Sequence, residues 1–311
     1  MTQIITAADL LANLPAIIGY VPHASISVVT TTTTTVPFTI GRACTIEASS
    51  DLARSHELAD KFGLTAANAP GAILIAICDP ALADHAAILL DGVRDALTER
   101  GIRVLKRIHA HSLETAGTWT DLDTGDTGQH VAYTDAMFTA MAVARGRRIA
   151  PSREALVAEF SESDRPVPPI AVNDDPEELL DTIEQIAAAT NTGSVPALRV
   201  IAQAAHHISD HRVRDALIAL GLDDPAAAAH MWTTMSAHMR GQARITGLTI
   251  AAALFFTAHD AARAGIALDT VQQIAAELDE PDVIFAQLLD TALYNGVSPE
   301  QVLRILRGDR R

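Results

Sequence analysis

The sequence predicts an α/β N-terminal domain, a mixed sheet with a βαβ unit, followed by an all-α helical-repeat-like C-terminal domain. Three observations support this fold class. Up to about residue 150, short β-like runs alternate with helical segments, and the continuous apolar run at 72–78 indicates a strand buried on both faces. After that point, nearly every segment has the apolar spacing of three and four residues that is typical of amphipathic helices. Between the two patterns, residues 145–153 contain four arginines.

The chain is predicted to divide at a proline-rich segment. Its 311 residues are enough for two domains that each bury a core. Arg165-Pro-Val-Pro-Pro169 cannot form regular structure, because proline fixes φ and lacks the backbone N–H. We therefore expect an α/β domain at 1–165, a linker at 166–172 and an acidic helical-repeat-like domain at 173–311.

The first predicted elements are a helix, a pair of strands and a second helix. Thr6-Ala-Ala-Asp9 has the spacing of a capping box, so a helix is expected to begin there. Six consecutive threonines fall within 25–36, and β-branched side chains favour a strand. A strand at 38–46 is expected to pair with it as a hairpin. The second helix is expected at about 49–62, capped by one of the serines at its start.

Three consecutive segments predict the βαβ unit. The strand at 72–78 is followed by Asp79-Pro80, which suits a helix start because proline at the first helical position gives up no hydrogen bond. That helix is expected to reach Arg100, and 102–109 is predicted to be the next strand. This order predicts a parallel strand pair with a right-handed crossover.

The remainder is predicted to be mostly helical. One helix is expected at 134–145, and another from Ser152 through Phe160. Asp175-Pro-Glu-Glu178 and Ser298-Pro-Glu-Gln301 each combine an N-cap, a proline at the first position and an acid or amide three residues on. Further helices are expected to begin at Ser194, near Asp210, at Asp224, after Gly241, near Gly265 and at Pro281. No fixed repeat length appears, so the array is called repeat-like.

Charge and hydropathy exclude several classes of partner. The formal net charge is −15, and residues 151–311 carry most of the acidic excess. Such a surface repels phosphate backbones, so no nucleic-acid partner is expected. The longest apolar run, 247–258, is shorter than the roughly 20 residues of a membrane helix, and no secretory signal is visible. We therefore expect no membrane partner and a cytoplasmic location, with Cys44 and Cys78 as buried free thiols.

Three stretches of the chain resemble a known family. They are Asp9-Leu-Leu-Ala-Asn-Leu-Pro-Ala-Ile-Ile-Gly19, Ala144-Arg-Gly-Arg-Arg-Ile-Ala-Pro-Ser-Arg-Glu-Ala-Leu156, and Val213-Arg-Asp-Ala-Leu217 with Asp224-Pro-Ala226 and Trp232. In this order and spacing the sequence resembles the actinobacterial domain-of-unknown-function family 4192. The resemblance covers most of the chain and implies the family's fold and a bacterial cytosolic setting. It implies no activity.

The motifs of common enzymes are missing from the sequence. It contains no phosphate-binding loop ending in Lys-Ser/Thr, no dinucleotide-type glycine triplet, no Gly-x-Ser-x-Gly and no His-Glu-x-x-His. Helical arrays offer stacked faces that suit proteins or peptides. The sequence therefore favours a non-enzymatic interaction or adaptor protein with a protein partner, and it names no cofactor. The alternative is a protein that binds, or an enzyme that acts on, a small anionic ligand.

The candidate anion site consists of Arg145, Arg147, Arg148, Ser152 and Arg153. Arg153 falls in the first turn of a predicted helix, where its charge opposes the helix dipole, so a bound anion would relieve the conflict. Backbone N–H groups beside Ser152, together with the guanidiniums of Arg147 and Arg148, could bind a phosphate or carboxylate. Ion pairs with acidic residues of the chain are the alternative.

Two histidine pairs have a spacing that zinc ligands can use. His207 and His211 are four apart on a predicted helix, and His109 and His111 are two apart on a predicted strand. Neither pair has a third ligand close in sequence, so ordinary surface or capping histidines are the favoured interpretation and no metal is predicted. The acidic run at 121–126 departs from the calcium-loop pattern, which favours a polar hairpin turn.

Overall fold

The computed structural model describes residues 3–4, 6–53, 58, 62–168, 170, 175–279 and 281–308. The chain divides into two compact units, Met1–Arg153 and Glu154–Arg311. The first contains a mixed sheet and the second is helical, which confirms the predicted fold class. The linker predicted at 166–172 stays a prediction, and part of it lies outside the described residues.

One sheet of seven strands forms the first unit. Its strands are β1 (Gln3–Ile4), β2 (Ser25–Thr31), β3 (Phe38–Glu47), β4 (Gly71–Ile77), β5 (Arg103–Ala110), β6 (Gly117–Asp121) and β7 (Thr127–His130). Their order is β1-β3-β2-β4-β5-β6-β7. β4 and β5 pair in parallel, and the other neighbours are antiparallel. The expected βαβ unit and the expected hairpin of β2 and β3 are both present.

Two helices of the first unit begin where the capping signals indicate, namely α1 (Ala7–Ile18) and α2 (Pro80–Glu99). A further helix, α3 (Met137–Ala144), begins without a side-chain cap. α1 has the predicted capping box, since the backbone N–H of Asp9 donates to Thr6 Oγ1 at 3.0 Å and Asp9 Oδ2 accepts from the backbone N–H of Thr6 at 3.1 Å. α2 joins β4 to β5. The helix predicted at 49–62 falls largely outside the described residues.

The core of this unit lies against α2. Every residue of β2 and of β4 is buried, so both faces of these central strands are covered. Val28 and Leu74 pack in one cluster with Leu89, Leu90 and Val93 of α2. The rigid centre of the first unit is therefore the βαβ unit and the strand beside it.

Two predictions for the first unit were wrong in detail, and one was incomplete. β2 ends at Thr31 instead of residue 36, because threonine hydroxyls bond to the backbone of the following loop, with Thr31 Oγ1 donating to Thr33 O at 2.6 Å. The polar hairpin turn predicted at 121–126 is present, but the strands β6 and β7 that it joins were not predicted. The helix expected at 134–145 is interrupted, and a short 3₁₀ turn precedes α3.

Nine helices follow in chain order within the described residues. They are α4 (Arg153–Ala158), α5 (Pro176–Thr192), α6 (Leu198–His207), α7 (His211–Gly221), α8 (Pro225–His238), α9 (Gly241–Thr257), α10 (Ala261–Ala275), α11 (Ile284–Tyr294) and α12 (Pro299–Leu306). α9 is buried on nearly all sides and forms the centre of the second unit. Nowhere in the described chain is a helix both long and apolar enough to cross a membrane.

The caps of several of these helices were predicted and three starts were not. Asp175, Asp210, Asp224 and Ser298 each accept a hydrogen bond from a first-turn N–H, as expected. The helices expected to begin at Ser194, Gly265 and Pro281 instead begin at Leu198, Ala261 and Ile284. For α10 the reason is a cap that the sequence analysis missed, since Asp260 Oδ1 accepts from the backbone N–H of Arg263 at 3.2 Å.

Candidate functional site

The arginine segment 145–153 is bonded to the chain that leads into β2. Ala150 forms a parallel bridge with Tyr20, and its carbonyl accepts from the N–H of Val21 at 2.9 Å. A ring nitrogen of His23 lies 3.2 Å from the carbonyl oxygen of Pro151. β2 begins two residues after His23 and is antiparallel to β4, so the segment lies towards the carboxyl end of β4.

Most arginine side chains of the segment lie at the surface. Arg145, Arg148 and Arg153 are exposed, and Arg147 and Ser152 are half-buried. Arg153 heads α4, a helix of only six residues with Glu154 in its first turn. The anion site at these residues therefore stays a prediction.

A buried amide that the sequence analysis missed positions the helix before the arginines. Asn13 is 6% exposed, and its Oδ1 accepts from the backbone N–H of Phe138 at 3.1 Å. Its Nδ2 donates to Asp9 O at 2.6 Å. Asn13 thus attaches the start of α3 to α1. A polar residue among the leucines of α1 was the available signal.

The carboxyl ends of β4 and β5 hold two histidines in separate positions. His109 lies within β5, with Nε2 at 3.1 Å from Cys78 O, whereas His111 lies beyond the strand with Nδ1 at 3.4 Å from Asp79 Oδ1. The pair does not converge on one point. Burial, with a smaller contribution from Asp79, raises the pKa of the Cys78 thiol. Burial also raises the pKa of Cys44 to about 12, so both thiols stay protonated at neutral pH.

The acidic turn after β6 uses its carboxylates in ion pairs. Asp121 pairs with Lys106, and its Oδ1 accepts from the backbone N–H of Asp123 at 2.9 Å. Asp123 accepts from Arg107 Nε at 2.9 Å, and Arg107 also pairs with Asp91 of α2. Burial alone would lower the pKa of Arg107, but Asp123 and Asp91 outweigh it and raise that pKa. These contacts support the interpretation as a polar turn.

The prediction that His207 and His211 share one helix was wrong. His207 is the last residue of α6, and His211 is the first residue of α7. Asp210 lies between them as the cap of α7, with Oδ1 accepting from the backbone N–H of Arg212 at 2.8 Å. Over the described ranges, no group of three or more His, Cys, Asp or Glu residues has a geometry that could hold a metal ion.

Two cavities open on the second unit. The smaller has a volume of about 290 Å³ and lies where α5, α6 and α7 meet. It is lined by Pro176, Leu179, His206, His207, Ser209, Asp210 and Val213. Its lining thus combines polar and apolar side chains.

The larger cavity has a volume of about 340 Å³ and separates α10 from α11. We call it the α10–α11 groove, and it is lined by Leu268, Val271, Gln272, Ala275, Ala276, Val283, Ala286 and Gln287. Leu268 and Val271 are buried and form its floor. The three alanines are too small to fill the space between the helices, which is why the groove remains open.

Large apolar side chains are exposed on α11, one of the two helices that line this groove. Ile284 is 69% exposed and Leu288 is 62% exposed, and neither lines the groove itself. The apolar spacing of Phe285, Leu288 and Leu289 predicts an amphipathic helix, but of these three only Leu289 is fully buried. The apolar spacing signalled a helix correctly without showing which side chains another helix would cover.

Two buried arginines attach the segment after α4 to the helices of the second unit. Arg244 is 3% exposed, and its Nη2 donates to Phe160 O at 2.7 Å while Nη1 lies 3.0 Å from Glu162 Oε1. Burial lowers the pKa of Arg244 despite the charge of Glu162. Arg263 forms the corresponding contact with Glu159. Both arginines are buried, whereas Glu159 is half-buried and Glu162 is exposed. Because the arginines are enclosed by protein, we assign these ion pairs to the fold.

A model of one protein family matches most of the chain. Its description is "Domain of unknown function (DUF4192)", and the match covers residues 8–300. Neither a curated protein nor a solved structure matches the chain. The match includes all three stretches on which the resemblance was based.

Proposed function

The chain belongs to the DUF4192 family, whose description assigns no activity, and we propose that this member is a non-enzymatic interaction protein. Its helical unit binds a helical segment of a partner protein in the α10–α11 groove. We further propose that it acts in the cytoplasm of an actinobacterium, as the family resemblance implies, and that it binds neither nucleic acid nor membranes.

One observation carries the proposal, namely an open apolar groove with large aliphatic side chains exposed on one of its two helices. The groove measures about 340 Å³, and Ile284 and Leu288 of α11 are exposed at a spacing of four residues. Exposed apolar surface of this kind marks interaction sites, because leaving it in water is unfavourable. A partner helix inserts side chains at spacings of three and four into such grooves. The groove thus suits a helix better than an extended peptide, because its described lining offers neither the sheet edge nor the aromatic side chains that extended peptides use.

Site-specific cross-linking in cells that make the protein tests this proposal. A photoreactive amino acid is placed at Gln272, which lines the groove, and separately at Gln273, which is exposed on the same helix but does not line it. We expect one discrete protein adduct from position 272 and none from position 273. The identified partner, once purified, should then bind the unlabelled protein directly.

A blocking variant completes this experiment. Gln287→Trp fills the groove from its rim, whereas Gln273→Trp adds the same side chain outside it. The first should abolish both the adduct and direct binding, and the second should leave them unchanged. Equal adducts from positions 272 and 273, or binding that survives Gln287→Trp, would show that the groove is not the interaction site.

A second candidate function is a small-anion site at the arginine segment, for a ligand that is bound or chemically changed there. The bridge between Tyr20 and Ala150 favours it, because this bridge directs the segment towards the carboxyl end of β4. Ligands of α/β sheets bind at that edge of the strands. Arg145, Arg147 and Arg148 would then supply the positive charge.

Thermal unfolding in the presence of phosphate, phosphorylated sugars and carboxylates tests this second candidate. A ligand at about 100 times its dissociation constant stabilises the folded protein by about 2.7 kcal/mol. We expect the double variant Arg147→Glu/Arg148→Glu to lose that stabilisation while unfolding at its usual temperature without ligand. A variant that simply unfolds would indicate that these arginines serve the fold.

A further inference from the structure

The stretch that builds the α10–α11 groove contains acidic groups and no basic ones. Between Arg263 and Arg304 the sequence has seven Asp and Glu residues and no Lys, Arg or His. This stretch includes most of α10, the connection to α11 and all of α11. A partner in the groove therefore meets negative charge from the groove's own helices.

Three of these carboxylates lie at the mouth of the groove. Residues 276–283 connect α10 to α11, and the first and last of them line the cavity. Between those two, Glu277, Asp279 and Asp282 are exposed to solvent. The apolar floor thus opens next to a short acidic rim.

The acidic rim is held in place by α9. Gln242 Nε2 donates to Asp282 O at 3.0 Å, and Gln242 Oε1 accepts from the backbone N–H of Asp282 at 3.0 Å. Asp282 Oδ1 also accepts from the backbone N–H of Ile284 at 3.4 Å. Because this part of the rim is ordered before binding, little conformational entropy is lost there when a partner arrives.

The described basic side chains do not neutralise the rim. Arg214 is the cation in contact with α11, where it stacks 4.7 Å from the ring of Phe285, and it pairs with Asp215 at 2.7 Å. Phe285 does not line the groove. Within the described residues, no Lys, Arg or His forms an ion pair with Glu277, Asp279 or Asp282.

We infer that the α10–α11 groove binds a basic amphipathic helix, an inference that rests on the proposed function and names the class of partner. Leucine-like side chains at spacings of three and four enter the groove. Lysines or arginines flanking that apolar stripe lie over Glu277, Asp279 and Asp282. Apolar burial supplies the affinity, and the charges select the partner and speed its association.

Other occupants fit these charges less well. An anionic membrane, a nucleic acid or an acidic peptide would be repelled by the rim. A small apolar ligand would fill the cavity and leave Ile284 and Leu288 exposed. A basic amphipathic helix can contact the apolar groove with one face and pair its positive charges with the acidic rim.

Three synthetic helical peptides test the inference against the full-length protein. All three carry the same leucine stripe, and their flanking positions are lysine, glutamine or glutamate. Fluorescence anisotropy at low and physiological ionic strength measures binding. We expect the lysine peptide to bind most tightly, the glutamine peptide more weakly and the glutamate peptide not at all. Added salt should weaken binding of the lysine peptide and of neither other peptide, because salt screens exposed charge pairs.

Matched variants distinguish an effect of the rim carboxylates on binding from an effect of the protein's net charge. Glu277→Gln/Asp279→Asn removes two rim charges, and Glu184→Gln/Asp223→Asn removes two exposed charges elsewhere in the same unit. The first double variant should bind the lysine peptide about five- to tenfold more weakly, and the second should bind it with unchanged affinity.

The outcomes distinguish the inference from the proposed function. Equal binding of the lysine and glutamine peptides, lost in Gln287→Trp, would retain the groove as an interaction site and overturn the basic class of partner. Binding of the lysine peptide that survives Gln287→Trp would mean attachment elsewhere and would also overturn the inference. If no peptide binds although the cellular adduct at Gln272 forms, the inference fails and the proposed function stands.

Discussion

Arg263 and Glu159 form a bidentate ion pair within the helical unit, in which the arginine is fully buried and the glutamate is half-buried. Arg263 is 0% exposed, and its Nε and Nη2 donate to the two carboxylate oxygens of Glu159 at 2.8 and 2.7 Å. Nη1 donates to Asp260 Oδ2 at 3.0 Å. Burial alone would lower the pKa of Arg263, but Glu159 and Asp260 outweigh it and raise that pKa. The pair fixes the segment after α4 against the start of α10.

The first prediction concerns removal of the arginine from this pair. Arg263→Met leaves the buried carboxylate of Asp260 without its cation, so we expect the free energy of unfolding to fall by about 3–5 kcal/mol. The chain has one tryptophan in each unit, at 119 and 232. Urea unfolding followed by Trp232 fluorescence in a Trp119→Phe background reports on the helical unit alone.

Arg199→Met is the matched control for that measurement, because Arg199 is exposed on α6 in the same unit. It should change the free energy of unfolding by less than about 0.5 kcal/mol. A loss in Arg263→Met no larger than in this control would mean that the ion pair contributes nothing to stability.

The second prediction concerns where the chain can be cut. A fragment that begins at residue 154 keeps Glu159 and Glu162, whereas a fragment that begins at residue 166, at the predicted linker, loses both. The shorter fragment leaves Arg244 and Arg263 buried without these partners. We expect the longer fragment to unfold cooperatively and the shorter one to be much less stable or unfolded, as measured by circular dichroism during heating.

A fragment shortened at its other end provides the control. Removing residues from 308 onward keeps Glu159, Glu162, Arg244 and Arg263 in the chain, so it should leave the melting temperature nearly unchanged. Equal stability of the fragments beginning at 154 and 166 would show that the helical unit does not need the segment after α4.

Local signals in the sequence were enough for the βαβ unit and for several helix starts. The apolar run before Asp79-Pro80 predicted β4 and α2, because burial and capping there depend on neighbouring residues alone. The hairpin turn at 121–126 was predicted, but the strands β6 and β7 on either side of it were missed, since Trp119 covers Gly128 of the opposite strand and that contact is not local. The start of α10 was missed because Asp260 has no proline beside it.

The candidate sites were harder to predict for a physical reason. The arginine segment was visible in the sequence because like charges in nine residues are unusual. The α10–α11 groove depends on which apolar residues remain uncovered, and that is decided by how far α10 and α11 diverge around Ala275 and Ala286. Spacing along a helix identifies an apolar face but cannot show whether another element covers it.

The third prediction is an acid dependence in the first unit. Burial opposes ionisation of Asp121, but Lys106 and the backbone N–H of Asp123 outweigh it and lower the pKa of Asp121. A lowered pKa contributes stability that is present above the unfolded-state value near 4 and is lost as pH falls through the folded-state value. We therefore expect Asp121→Asn to lower the free energy of unfolding at pH 7. Below about pH 4, the free energy of unfolding of this variant should fall less steeply with decreasing pH than that of the parent protein.

Urea unfolding of the Trp232→Phe background at several pH values, followed by Trp119 fluorescence, measures this dependence. Asp126→Asn is the control, because Asp126 is exposed in the same turn and bonds to Thr124. It should leave the acid decline of the parent protein intact. If the stability of Asp121→Asn falls with decreasing pH as steeply as that of the parent protein, Asp121 is not the cause of the acid decline.

The fourth prediction reverses what helix propensity alone indicates. Gly247→Ala should stabilise α9 by up to about 1 kcal/mol on propensity, but the added Cβ would lie 2.4 Å from Ser236 Oγ, so we expect a net loss of about 1–3 kcal/mol. Ser236→Ala alone should be neutral or stabilising, since its buried hydroxyl has no hydrogen-bond partner among the described residues. The double variant should recover most of the loss, because the alanine at 236 has no Oγ to oppose the new methyl group. Urea unfolding of the parent, the two single variants and the double variant, followed by Trp232 fluorescence, gives the coupling free energy between positions 236 and 247. If the two effects on the free energy of unfolding simply add, the contact between these residues does not limit how closely α8 and α9 pack.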